Sequence, residues 1–223
     1  NKSYFIKMNT ILLFCLIVFA TSSSSKNLIL IGDSRYVQMS IYYIGLPWDG
    51  RNVRTTSPKS FQGYSIQSTA QGSASYKNFN EGGELYNSVI NQLSKAAANT
   101  NVLLWLGVNS LWDSNGTFNF YAKLAKKYPK LSFHAISVTG VDESKWKNVN
   151  NNQVTNFNNN LRKLVNGSGS VSNLRYLDIL YANDPTRIVS SGKTIGINKY
   201  SPDGLHYDNT GYRFLFNAMV EKL

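Results

Sequence analysis

Hydrophobic and polar residues alternate between two regimes along this chain. Short unbroken apolar runs are separated by longer stretches in which apolar residues recur at helical spacing. Leu28 to Ile31 and Val102 to Leu106 are runs of the first kind and predict strands, as do the mainly apolar Leu131 to Val138 and Leu174 to Leu180, the latter with apolar Leu174, Leu177, Ile179 and Leu180. Tyr36 to Ile44, the Leu85, Val89, Leu93, Ala96 stripe, Phe118 to Tyr128, Val154 to Val165 and Tyr212 to Val220 are of the second kind and predict helices. Gly45 with Pro47, Pro129, and Gly167 to Gly169 end three of these. Trp48 to Gln71 is turn-rich, with short alternating pieces such as Asn52 to Thr56, and a further strand belongs somewhere within it. Tyr181 to Tyr200 reads as a polar loop region. Continuous apolar strands alternating with helices indicate a parallel sheet covered on both faces, hence a three-layer α/β/α domain.

The first 25 residues stand outside this pattern. Ile11 to Ala20 is unbroken apolar, preceded by Lys2 and Lys7 and followed by Thr21 and four serines. Ten residues are too few to span a bilayer, which takes about 20. Residues 1–25 therefore read as a secretory signal with a small-residue cleavage region, or as an uncleaved anchor, and residues 26–223 as one domain. The expected location is secreted or cell-surface. Cys15 is the single cysteine and lies in the apolar run, so the domain carries no disulfide or thiol chemistry.

Composition adds two constraints. The formal charge is +11, or +9 once Lys2 and Lys7 are set aside, which favours anionic partners or serves solubility. The basic residues are scattered rather than striped and no nucleic-acid-binding motif occurs, so a nucleic-acid partner is not expected. An anionic wall polymer or membrane surface fits better, with direct membrane attachment only through the N-terminal segment if it is retained. Two histidines far apart and no cysteine in the domain give no zinc-binding pattern, and no metal or cofactor is expected.

Candidate chemistry sits where apolar runs end. The first run leads into Gly32-Asp33-Ser34-Arg35 and then a helical pattern, which puts Ser34 at a strand-to-helix turn near helix amides. Such a position suits a nucleophile, although Asp33 or Ser34 could simply cap the helix. A serine nucleophile needs a base, and the base an orienting acid. Asp203 and His206, three residues apart in a Gly-containing loop, can supply both. His134 lies inside an apolar run and reads as a satisfied core residue. The strand ending at Leu106 runs into Gly107-Val108-Asn109-Ser110.

Gly32-Asp33-Ser34, Gly107-Val108-Asn109 and Asp203-x-x-His206, in that order across the domain, resemble the SGNH (GDSL-type) hydrolase superfamily. The resemblance implies a flavodoxin-like sheet of about five parallel strands and a serine esterase working through an acyl-serine intermediate. It implies catalytic roles for Ser34, Asp203 and His206. The oxyanion hole would comprise the Ser34 backbone N–H, the Gly72 backbone N–H and the Asn109 side chain, with Gly63 the rival glycine. The sequence departs from the family at two places. Ser110 stands where Asp is usual, and Arg35 where Leu is frequent; Arg35 is expected to pair with Asp33, or otherwise to face the cleft. Export, positive charge and the aromatics Trp48, Trp112 and Trp146 point to an O-acetylated or anionic glycan as the ester-bearing substrate, although those aromatics could equally be core. The alternatives are a lipid esterase or lysophospholipase of the same family, and an inactive carbohydrate-binding or adhesion protein on the same scaffold.

Overall fold

A computed structural model describes residues 26–223. The N-terminal segment expected to be a signal or anchor lies outside the described residues. Five parallel strands form the centre of the sheet: β1 (Lys26–Gly32), β4 (Tyr64–Gln71), β5 (Asn101–Trp105), β6 (Ser132–Ile136) and β7 (Leu174–Leu177). Their spatial order is β4-β1-β5-β6-β7, the flavodoxin-like arrangement. The parallel sheet of about five strands is thus as expected. Two short strands, β2 (Asn52–Arg54) and β3 (Lys59–Phe61), pair antiparallel with β4 at the sheet edge.

The runs that predict strands are those buried on both faces. Leu28 to Ile31 and Val102 to Trp105 are at most 2% exposed. The further strand sought between Trp48 and Gln71 is chiefly β4. Its sequence is half polar, yet Ser68, Thr69 and Gln71 are buried. Each finds a partner: Ser68 Oγ accepts from Ser40 Oγ at 3.1 Å, Thr69 Oγ1 donates to Gln92 Oε1 at 2.8 Å and Gln71 Nε2 donates to Glu84 Oε2 at 2.7 Å, while Gln92 Nε2 also donates to Thr55 O at 2.9 Å and Ser68 O at 3.1 Å.

Helix α1 (Ser34–Gln38) widens into a π-helical segment, Met39–Ile44, ended by Gly45 at φ 75°. This segment packs with the C-terminal helix α6 (Asn209–Val220). The short α2 (Tyr76–Phe79) and α3 (Tyr86–Lys95) lie between β4 and β5 in the chain. The longer α4 (Ser114–Lys127) and α5 (Asn151–Asn166) pack on each other. Right-handed crossovers place α1 on one face of the sheet and α3, α4 and α5 on the other. In α5 most of the asparagines take outer positions while Val154, Phe157, Leu161 and Val165 are buried; Asn158 is the exception, buried with its amide bonded to both the N–H and the carbonyl of Val138 at 2.8 Å.

One expectation is corrected. Tyr181 to Tyr200 is not a loop region: it holds β8 (Leu180–Tyr181), β9 (Asp184–Ser190) and β10 (Lys193–Gly196), a separate antiparallel sheet, followed by a 3-10 turn at Ile197–Tyr200. Both of its turns need left-handed backbone, at Ala182-Asn183 (φ 50° and 61°) and Ser191-Gly192 (φ 51° and 69°). This small sheet returns the chain to the carboxyl ends of the parallel strands, where residues 201–208 lie.

Candidate active site

β1 ends at Gly32, which is packed too closely for any side chain: an added Cβ would lie 2.6 Å from the Trp105 carbonyl oxygen. Asp33 then caps α1, its Oδ1 accepting from Arg35 N at 3.0 Å. Asp33 is 3% exposed, and burial pushes its carboxyl above the usual carboxylate range against the pull of the Arg35 charge. Ser34 is the first helical residue, so its N–H has no partner within the helix. At β1 the crossovers reverse direction, with β4 on one side and β5 on the other, which opens a crevice at the strands' carboxyl ends.

Ser34 and His206, 172 residues apart in sequence, meet in this crevice. Ser34 Oγ lies 2.9 Å from His206 Nε2, and His206 Nδ1 lies 2.7 Å from Asp203 Oδ2. An ionised carboxylate only accepts, so Nδ1 carries the proton and Nε2 accepts from the serine hydroxyl. The other Asp203 oxygen accepts the Leu205 N–H at 2.8 Å and the His206 N–H at 2.7 Å. Partial burial raises the Asp203 pKa, but the His206 ring and these two N–H donors outweigh it, and the net shift is downward. The loop is braced from outside as well: Ser201 Oγ donates to His206 O at 2.8 Å and the Asp142 N–H to Gly204 O at 2.8 Å.

Asn109 follows β5 and lines the same cleft. Its Nδ2 donates one hydrogen to Ala74 O at 3.1 Å, which fixes the amide and leaves the second hydrogen free. Gly72 also lines the cleft, but its N–H donates to Arg51 O at 3.2 Å and is not free as the sequence reading required. The next residue, Ser73, is in left-handed backbone at φ 59° and lines the cleft, and no partner for its N–H occurs among the described residues. Gly63 sits at the β3–β4 turn, its carbonyl accepting from Lys26 N at the amino end of β1, so it lies at the opposite end of the sheet from Ser34.

Arg35 neither pairs its guanidinium with Asp33 nor faces the cleft. It is 1% exposed, and its guanidinium donates to Thr139 O at 2.7 Å, Thr139 Oγ1 at 3.1 Å, Gly140 O at 3.0 Å and Leu205 O at 3.3 Å. It also lies 5.8 Å from the Trp105 ring centroid and 5.7 Å from that of Tyr207. Tyr207 reaches the same loop, its hydroxyl donating to Thr139 Oγ1 at 2.9 Å. One buried cation thus ties the nucleophile turn, the loop after β6 and the residue before His206 together. Nothing in the sequence marks this latch beyond an arginine beside the apolar Tyr36 and Val37. Ser110 is buried, and its Oγ has no partner among the described residues, so the loop after β5 is braced by backbone instead, with Ser110 N donating to Gly107 O at 2.7 Å.

The cleft has a volume of about 490 Å³ and is open to solvent. Trp48, Trp146, Tyr42 and Arg51 line it around Ser34 and His206. Trp48 is 50% exposed, so it is not core. His134 lies elsewhere, in the middle of β6, with its Nε2 2.9 Å from Asn101 Oδ1 and no partner for its Nδ1 among the described residues. Burial, then Arg175, lowers its pKa to about 4. Among the described residues there is no cluster of His, Cys, Asp and Glu able to hold a metal ion, and no helix long and apolar enough to cross a membrane.

No family model and no curated protein matches the sequence. Solved structures do match the fold. A platelet activating factor protein from Streptococcus pneumonia superposes with a TM-score of 0.60 over 91% of this chain and 86% of its own, at 16% identity. A GDSL-like lipase from Parabacteroides merdae gives 0.53 over 89% and 95%, at 13% identity. A catalytic mutant of an acetylxylan esterase from Geobacillus stearothermophilus gives 0.52 over 89% and 94%, also at 13% identity. The strand order, the helices on both faces and this agreement over nearly the whole described chain give the protein the fold of the SGNH (GDSL-type) hydrolases.

Proposed function

We propose that the protein is a serine ester hydrolase, and within that class an exported O-acetyl esterase of a carbohydrate polymer. The observation that carries the enzymatic reading is the relay from Asp203 through His206 to Ser34, with both contacts at hydrogen-bond distance. Ser34 Oγ attacks the ester carbonyl and its proton passes to His206 Nε2. Asp203 holds the ring and balances the imidazolium charge. The Ser34 N–H and the free Asn109 Nδ2 hydrogen receive the oxyanion. A third donor is the Ser73 N–H, or Gly72 once its bond to Arg51 is given up. His206 returns the proton to the leaving alcohol oxygen, an acyl-serine remains, and a water deprotonated by the same histidine releases the acid.

The carbohydrate reading rests on the cleft. Trp48 and Trp146 offer aromatic faces for a sugar ring, Arg51, loosely paired with Glu84 at 3.9 Å, offers a cation to an anionic group, and the cleft is open enough for a polymer. Export rests on the apolar run and lysines before residue 26. The test is hydrolysis of p-nitrophenyl acetate and butyrate by the wild type and by Ser34→Ala. Acetate turnover that vanishes in the variant is expected. Equal turnover by both, or none by folded wild type, would remove Ser34 as nucleophile and restore the inactive carbohydrate-binding reading. Activity that grows with acyl chain length would move the assignment to a lipid esterase.

A further inference from the structure

Trp112 is the most exposed large apolar side chain described, at 79%. It flanks a second pocket, of about 300 Å³, with Leu111, Val149, Asn148, Gln153 and Asn156. The pocket is built from the same two loops as the catalytic cleft. In the loop after β5, Asn109 faces the cleft while its neighbours Val108, Leu111 and Trp112 face the pocket. In the loop before α5, Trp146 faces the cleft while Asn148 and Val149 face the pocket. Two loops that turn one residue into the cleft and the next few into the pocket make the two spaces neighbours.

The lining also states what fits. It contains no charged side chain, so a phosphate, sulfate or carboxylate would find no counter-charge. It has an exposed indole face and three side-chain amides, of which Gln153 uses its Oε1 to receive the Asn150 N–H and keeps its NH₂ group free. For Asn148 and Asn156 no side-chain partner occurs among the described residues. A fatty acyl chain would leave these amides unpaired. An uncharged pyranose has apolar C–H faces for the indole and a rim of hydroxyls for the amides.

We propose that this pocket is a subsite for a neutral sugar residue lying along the chain from the acylated one. The natural substrate is then an oligo- or polysaccharide rather than a single acetylated sugar. This rests on the ester-hydrolase reading, and the experiment separates the two. Acetylated neutral β-1,4-linked oligosaccharides of one to six residues are compared with p-nitrophenyl acetate. With wild type, kcat/KM is expected to rise about tenfold or more with chain length, corresponding to about 1.4 kcal/mol of added binding. Trp112→Ala should abolish that rise, mainly through KM, and leave p-nitrophenyl acetate turnover unchanged. Asn156→Ala, at an exposed helix position, should reduce it in part. Binding of the unacetylated oligosaccharides to Ser34→Ala, followed by titration of the tryptophan fluorescence, should weaken by the same factor when Trp112→Ala is added. A chain-length gain that survives Trp112→Ala, or no gain in an active wild type, overturns the subsite. Trp112-dependent oligosaccharide binding without any ester turnover keeps the subsite and overturns the hydrolase.

Discussion

Two residues divide the work of charge handling at this site, and they do so in opposite ways. Asn109 is held by Ala74 O and presents one uncommitted donor hydrogen to the cleft. Asn109→Ala should lower kcat on the order of 100- to 1000-fold with KM nearly unchanged, measured on p-nitrophenyl acetate. Arg35 never reaches the cleft, yet it anchors Leu205, the residue before the base. Replacing it with methionine leaves buried carbonyls unpaired, which costs roughly 1–3 kcal/mol for each such group. It also frees the His206 loop, and a displacement of about 1 Å at a reacting group is worth on the order of 100-fold in rate. Arg35→Met is therefore expected to lower kcat by about that factor at temperatures where the variant remains folded, and Arg35→Lys to recover part of it. A purely structural role would lower the melting temperature and leave the kcat of the folded protein intact. The GDS turn, Asn109 and the Asp203/His206 pair were legible in the sequence because each follows a strand pattern or falls in a short polar loop. The Arg35 latch was not, because its partners are three backbone carbonyls and a hydroxyl that only the fold assembles.

Elements were legible to the extent that burial and polarity agree. β1 and β5 carry unbroken apolar runs, Leu28 to Ile31 and Val102 to Trp105, and β6 is apolar apart from Ser132 and His134, so all three stand out by eye. β4 does not, since its buried polar side chains find partners on other elements, Ser68 with Ser40, Thr69 with Gln92 and Gln71 with Glu84, and an apolar-run criterion passes over it. β8 to β10 do not stand out because β8 and β10 are short, β9 mixes polar residues and a proline with its apolar ones, and the three are joined by left-handed turns, one of which begins with Ala182 rather than a turn-favoured residue. Helical spacing likewise does not separate the α-helical start of Ser34–Gln38 from the π-helical continuation to Ile44. Between β5 and the Asn109 turn, Gly107 abuts Val138 so closely that an added Cβ would lie 2.0 Å from its Cγ2. Gly107→Ala should push the two strand ends apart and carry Asn109 with them. The expected result is a fall in kcat larger than the fall in stability, and Val138→Ala in the same chain should restore part of the activity by making room.

At the scale of the whole molecule, one source of pH-dependent stability lies away from the active site. His134 is 7% exposed, and burial lowers its pKa from 6.5 to about 4. Below pH 6.5 the unfolded chain takes up a proton that the folded chain refuses, so stability falls as pH drops from about 6.5 to about 4. The full effect is at most roughly 3 kcal/mol, at 1.36 kcal/mol for each pKa unit. Urea unfolding across that range should show the decline, and His134→Gln should flatten it. A slope unchanged in the variant would place the titrating group elsewhere.

The distance in sequence between Ser34 and His206 has a temporal meaning. The nucleophile belongs to the first strand-to-helix turn of the domain, whereas its base waits on the loop just before α6, so a ribosome delivers the second long after the first. Most of the sheet can assemble while the chemistry remains switched off. Hydrolytic competence then signals that the last helix has docked, and in a refolding experiment it should return after the bulk of the helical circular dichroism.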